Sequence, residues 1–187
     1  RTNKTYTIGL LIPSIDNPYF ATIASEIVFE AKRYGYTVIL LDTLEDEGNE
    51  SECINTLLTR SIDGIILVPC GERPESLEKI DEQTPIVLID RYFEDTSLSY
   101  ICTDNYRGAL DGVKLLIENG HKEILCIRGV PHSMPSKERV KGYIDALRES
   151  GFDTRSRITG NDYSITNGYL ETKLAIGSPA RPTAIFA

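Results

Sequence analysis

The chain has 187 residues, 41% hydrophobic and 26% charged, the balance of an ordinary globular protein and enough for one α/β domain or two smaller lobes. Its formal net charge of −8, with no basic run, excludes nucleic-acid binding by this stretch alone, because DNA draws its non-specific affinity from Lys and Arg. No apolar run approaches the roughly 18 residues of a membrane span, so no membrane partner is expected.

Residues 1–7 are polar and basic, with no signal-peptide core behind them, which mildly favours a cytoplasmic setting. The first apolar run, 8–12, reads as a strand followed by an amphipathic helix. Phe20, Ile23, Ala24, Ile27, Ala31 and Tyr34 share one face of that helix, with Asn17 as N-cap, Pro18 in its first turn and Gly35 as its stop. Further strands are predicted at 38–41, 64–68, 86–89, 124–127 and 183–186, several apolar throughout, as strands covered on both faces are. Helices are predicted over 49–60, 106–118, 136–149 and 165–175. Strand alternating with helix predicts an α/β fold of doubly wound parallel sheets, with ligands taken at the carboxyl ends of strands. Cys53, Cys70, Cys102 and Cys126 are spread without any paired spacing, so reduced thiols, no structural zinc and no cofactor are expected. The chain stops at Ala187, directly after a strand-like run, and this C-terminus reads as a truncation.

Several segments carry a more specific signal when taken in order. They are Thr7-Ile8-Gly9-Leu10-Leu11-Ile12-Pro13 with Asp16-Asn17-Pro18-Tyr19-Phe20, then Val38 to Asp42, then Asp63-Gly64-Ile65-Ile66-Leu67, then Pro85-Ile86-Val87-Leu88-Ile89-Asp90-Arg91. Thr103-Asp104-Asn105 with Gly108, Gly120-His121, Glu138-Arg139 before Gly142-Tyr143, and Pro182-Thr183-Ala184-Ile185-Phe186-Ala187 complete the series. Together they resemble the lac repressor family and its relatives, the periplasmic sugar-binding proteins. The resemblance implies the effector-binding core of a transcriptional repressor, with two periplasmic-binding-protein-like (type I) lobes flanking a cleft. Residues 6–103 would form the N-terminal lobe and 104–187 a partial C-terminal lobe, with the return to the first lobe lying beyond Ala187. Residues 1–5 resemble the linker stub that follows an N-terminal helix-turn-helix head, which in the family reads operator DNA as a homodimer.

The implied effector is a small molecule, a sugar or sugar phosphate, and each residue matched to its pocket also has a structural reading. Tyr19 and Phe20 supply aromatic faces for a sugar or flat ring, although Phe20 also begins the core stripe of its helix. Asn17 serves either as helix cap or as a partner for ligand hydroxyls. Asp90 and Arg91 emerge from five apolar residues as a carboxylate and a guanidinium fork suited to sugar hydroxyls, or as a local salt bridge. Arg139 matches the family's cleft arginine, against the reading of a solvated helix face. Tyr163 stands where the family often stacks an aromatic ring, against that of a loop tyrosine covering its lobe. Lys137, where many relatives carry Arg, could add charge for a phosphorylated ligand.

Enzyme signatures are absent: there is no GxSxG elbow, no P-loop and no GxGxxG after the first strand, and a doubly wound enzyme is the weakest rival. The stronger rival is an exported sugar-binding protein of a transporter or chemoreceptor, which would share the pocket but lack the linker stub.

Overall fold

The computed structural model describes residues 4–71, 74–152 and 157–187. Residues 1–3 of the expected linker stub therefore lie outside the described residues. The chain divides into two units, residues 1–102 and 103–187.

Unit 1 runs β1 (Thr7–Ile12), α1 (Pro18–Arg33), β2 (Thr37–Asp42), α2 (Glu47–Leu58), β3 (Gly64–Leu67), α3 (Glu75–Asp81), β4 (Ile86–Ile89) and β5 (Ser99–Ile101). Its strands pair in parallel in the order β2-β1-β3-β4-β5. Successive strand residues point to opposite faces, so β1 feeds two cores at once. Leu10 and Ile12 pack with Phe20, Ala24 and Val68, while Leu11 packs with Ile54, Leu57, Leu67 and Leu88. The winding reverses between β1 and β3, and in α/β sheets of this kind ligands are taken outside the carboxyl ends of the strands at such a point.

Unit 2 runs α4 (Asn105–Glu118), β6 (Ile124–Ile127), α5 (Met134–Glu149), β7 (Ile158–Thr159), α6 (Ile165–Gly177) and β8 (Ala184–Phe186). Its strands are parallel in the order β7-β6-β8. The core joins Leu110 and Val113 of α4, Tyr143, Ala146 and Leu147 of α5, and Ile124 and Cys126 of β6. Tyr143 is buried, and its hydroxyl donates to the Ile124 carbonyl at 2.9 Å. Gly142 brings α5 against α4: a Cβ there would stand 2.5 Å from the Tyr106 carbonyl oxygen.

The predicted elements are all present, and three more appear. β5 has three exposed residues, β7 only two, and α3 buries only Leu77, so none carries an apolar pattern long enough to read. α2 and α5 begin two residues earlier than predicted because Asp46 and Ser133 cap them, accepting from the amides of Asn49 and Ser136. Among the described residues no helix is long and apolar enough to cross a membrane.

Candidate ligand-binding site

In unit 1 the polar side chains gather where β1, β2 and β4 end. The Asn17 side chain caps α1 by accepting from the Tyr19 amide at 3.0 Å, which aims the first turn at this edge. Tyr19 is 47% exposed, and its hydroxyl donates to Asp90 Oδ1 at 2.8 Å. Asp90 follows β4 directly and holds φ at +63°, a left-handed conformation that turns it out of the strand direction. Phe20 lies in the core at 4% exposure, with its ring edge-on to Tyr19 and the Arg91 guanidinium 5.9 Å above it.

Arg91 is buried and bonds both oxygens of the Glu45 carboxylate, at 2.5 and 3.2 Å, with the Pro69 carbonyl at 3.4 Å. Its Nε stands 4.0 Å from Asp90 Oδ2, so the cation ties the loops after β2, β3 and β4 together. Beneath this lattice Glu50 is buried and accepts from the Cys70 amide at 2.7 Å, and the Cys70 thiol meets the Thr43 hydroxyl at 3.0 Å. Burial raises the Glu50 carboxyl above its ordinary range and pushes the Cys70 thiol up to about 12. Cys126, in β6, is raised in the same way to about 11, and thiols of this kind are poor nucleophiles.

In unit 2 the corresponding edge holds a cavity of about 180 Å³, lined among others by Arg128, Ser136, Arg139 and Tyr163. Arg139 projects from α5 and donates through Nε to Asn105 Oδ1 at 2.8 Å, and Asn105 is itself buried. The Tyr163 hydroxyl pairs with Ser133 Oγ at 2.8 Å, while its ring lies so close over Gly129 that a Cβ there would sit 1.9 Å from Cε1. Gly129 is therefore the floor on which the ring rests.

The structure thus brings Tyr19 and Asp90 into direct contact and sets Arg139 and Tyr163 on one cavity wall, while Arg91 and Phe20 face inward. Sequence reasoning passed over Glu45, Asn105, Arg128, Ser133 and Ser136. Arg128 carried the same signal as Asp90, a charge directly after an apolar strand, and Asn105 stood inside a quoted segment. Glu45 left no such mark, since only the fold brings it to Arg91. Among the described residues no group of His, Cys, Asp and Glu is arranged to hold a metal ion.

Parallel sheets with polar side chains collected at their carboxyl edges are the arrangement in which α/β folds take small ligands. The model of the periplasmic binding proteins and sugar-binding domain of the LacI family matches residues 5–187, and the chain belongs to that family. The NTD biosynthesis operon regulator of Bacillus subtilis (strain 168) is 33% identical over 187 residues, covering 100% of this chain and 57% of the regulator. Catabolite control protein A of Priestia megaterium is 31% identical, covering 99% of this chain and 57% of its own length. A crystal structure of a periplasmic binding protein/LacI transcriptional regulator from Alkaliphilus metalliredigens QYMF, complexed with D-xylulofuranose, is similar at a TM-score of 0.75 and 28% identity. That alignment covers 87% of this chain and 59% of that one. The chain spans 57% of the length of these two curated relatives.

Proposed function

We propose that this chain is the effector-sensing core of a DNA-binding transcriptional repressor, and that its carboxyl-edge faces bind a small molecule, a sugar or sugar phosphate. The observation that carries the reading is the Tyr19–Asp90 pair: an exposed aromatic residue beside a carboxylate able to accept sugar hydroxyls, at the carboxyl edge of the unit 1 sheet. Arg91 holds Asp90 and Glu45 in place, and Asn17 positions Tyr19. In unit 2, Arg139 and Tyr163 line the cavity at the corresponding edge. Phe20 contributes by supporting Tyr19 from beneath.

The remaining roles rest on the family. The relatives are named as regulators and are longer than this chain, which supports a helix-turn-helix head outside these residues, a homodimer on operator DNA, a cytoplasmic setting and no catalytic activity. The effector shifts operator affinity by its differential affinity for two conformations and by no more than that.

Thermal-shift screening against sugars, sugar phosphates and nucleobases tests the reading. An effector at 100 times its dissociation constant adds about 2.7 kcal/mol of stability when it binds only the folded state. Asp90→Ala removes that gain, and in the operator-binding protein it removes effector response while leaving DNA affinity intact. An Asp90→Ala variant that responds normally takes Asp90 out of the site.

A further inference from the structure

We infer that the outer face of α5 is a docking groove for an acidic segment of a partner protein, one that carries aliphatic side chains among its carboxylates. The inference goes beyond the effector reading, because the groove lies on the side of the helix away from Arg139. A helix turns about 100° per residue, so Lys137, Lys141, Ile144 and Arg148, spaced by four, three and four, share one face, and Arg139 stands on the opposite one. The face borders a hollow of about 430 Å³ whose lining includes Val140 and Ile144. Both are half-buried and pack inward on the unit 2 core, so together they give the hollow an apolar floor.

Around that floor stand Arg128, Lys137, Lys141 and Arg148, with Asp145 as the one carboxylate lining the hollow. Asp145 is already committed within unit 2: it accepts from Arg148 at 2.7 Å and from the Tyr106 hydroxyl at 3.2 Å. Glu149, next along the helix, is paired with Lys114 at 2.6 Å. Arg128 donates through Nε to the Gly160 carbonyl at 3.2 Å, and the Lys141 ammonium sits 5.2 Å above the Tyr106 ring. These contacts orient both cations and leave their charge uncompensated. In a chain of net charge −8 this is a pronounced local reversal, and its complement is an acidic surface. From residue 137 to residue 148 the stripe runs about 16 Å, too far for one small anion to span. Nucleic acid and membrane fit it less well. Among the described residues no aromatic side chain lines the hollow for base stacking, and its two aliphatic residues are half-buried between exposed cations instead of projecting as an inserting face. Aliphatic side chains seated on the floor, with carboxylates meeting the rim, reproduce the apolar centre and polar border of a protein interface.

The test is fluorescence anisotropy, with the protein titrated into a labelled peptide of sequence EELLEELLEELL at low and high salt. Saturable binding is expected, weakened at least tenfold by Lys141→Glu combined with Arg148→Glu, and weakened again as salt screens the exposed charges. Lys141→Arg and the remote control Lys122→Glu should bind as the parent does. The peptide EEAAEEAAEEAA has the same charge but leaves the floor unfilled, and should bind at least fivefold more weakly. Urea unfolding checks that each variant is folded, and Lys137→Gln, away from the Asp145 contact, repeats the test if the double variant is not. No saturable peptide binding, or variants that bind as the parent does, overturns the groove. Equal binding of the two peptides also overturns it, since charge alone then accounts for the signal. Tighter binding of an oligothymidylate or of phosphatidylserine vesicles than of the leucine peptide, lost in the double variant, gives the face to nucleic acid or membrane and overturns a protein partner.

Discussion

Unit 1 holds its strands between two apolar clusters, whereas unit 2 builds its shorter sheet into one cluster with α4 and α5. The helix α6 shows the difference most plainly: it buries no residue, and Ile165 is 83% exposed with Tyr169 and Leu174 also in solvent. Apolar character in a sequence marks what a helix can bury, and burial itself depends on what else packs there. Within this chain α6 is accordingly the least anchored helix, and hydrogen exchange is expected to open its amides before those of β1 and β3.

The largest expected effect lies in unit 1. Leu10→Ala should cost about 2–5 kcal/mol, read from urea unfolding, because the fully buried strand residue leaves a cavity under α1. Glycines sharpen the comparison. Gly142→Ala should cost unit 2 about 1–3 kcal/mol, since its new Cβ meets the Tyr106 carbonyl oxygen and the Leu110 amide nitrogen, backbone atoms that cannot swing aside. Gly9→Ala meets the tip of Leu57 at 2.3 Å, a side chain that can rotate, and should cost less. Equal costs at the two positions would remove the distinction between helix-on-helix and side-chain contacts.

Smaller effects follow from ionisation within unit 1. Burial raises the Glu50 carboxyl above its ordinary 4.5, so its ionised form destabilises the fold at neutral pH, and stability is recovered as pH falls through the raised value. Glu50→Gln should therefore raise the midpoint of urea unfolding at pH 7, with the gain shrinking toward pH 4.5. Asp63 has the opposite sign. It accepts from the Thr5 amide and hydroxyl and from the Tyr6 amide, which hold its carboxyl below the ordinary 3.8. Asp63→Asn should lower stability slightly at pH 7, and the difference should vanish as pH falls below that range.

The positions of the main strands and the ends of α1 were legible because apolar runs and Asn17, Pro18 and Gly35 act locally. Tyr19 and Asp90 were legible as positions, since a polar residue at the end of an apolar strand or at a helix start faces the sheet edge, whereas Arg139 was marked only by the family resemblance. Their partners were not. The Arg91–Glu45 bond joins loops that are distant in sequence, and the Tyr163–Gly129 contact depends on the pairing of β6 with β7. Contacts of that kind follow from tertiary packing, on which local patterning is silent.

The left-handed backbone at Asp90 sets the range of side chains this position can accept. Asp, Asn and Gly tolerate such a φ, while β-branched and aromatic residues are strained by it. Mutational drift there can exchange a charged acceptor for a neutral amide or for no side chain at all, each leaving β4 undisturbed. Change at this position of the proposed site is therefore confined to a three-letter alphabet, one that varies chemistry and hardly at all bulk.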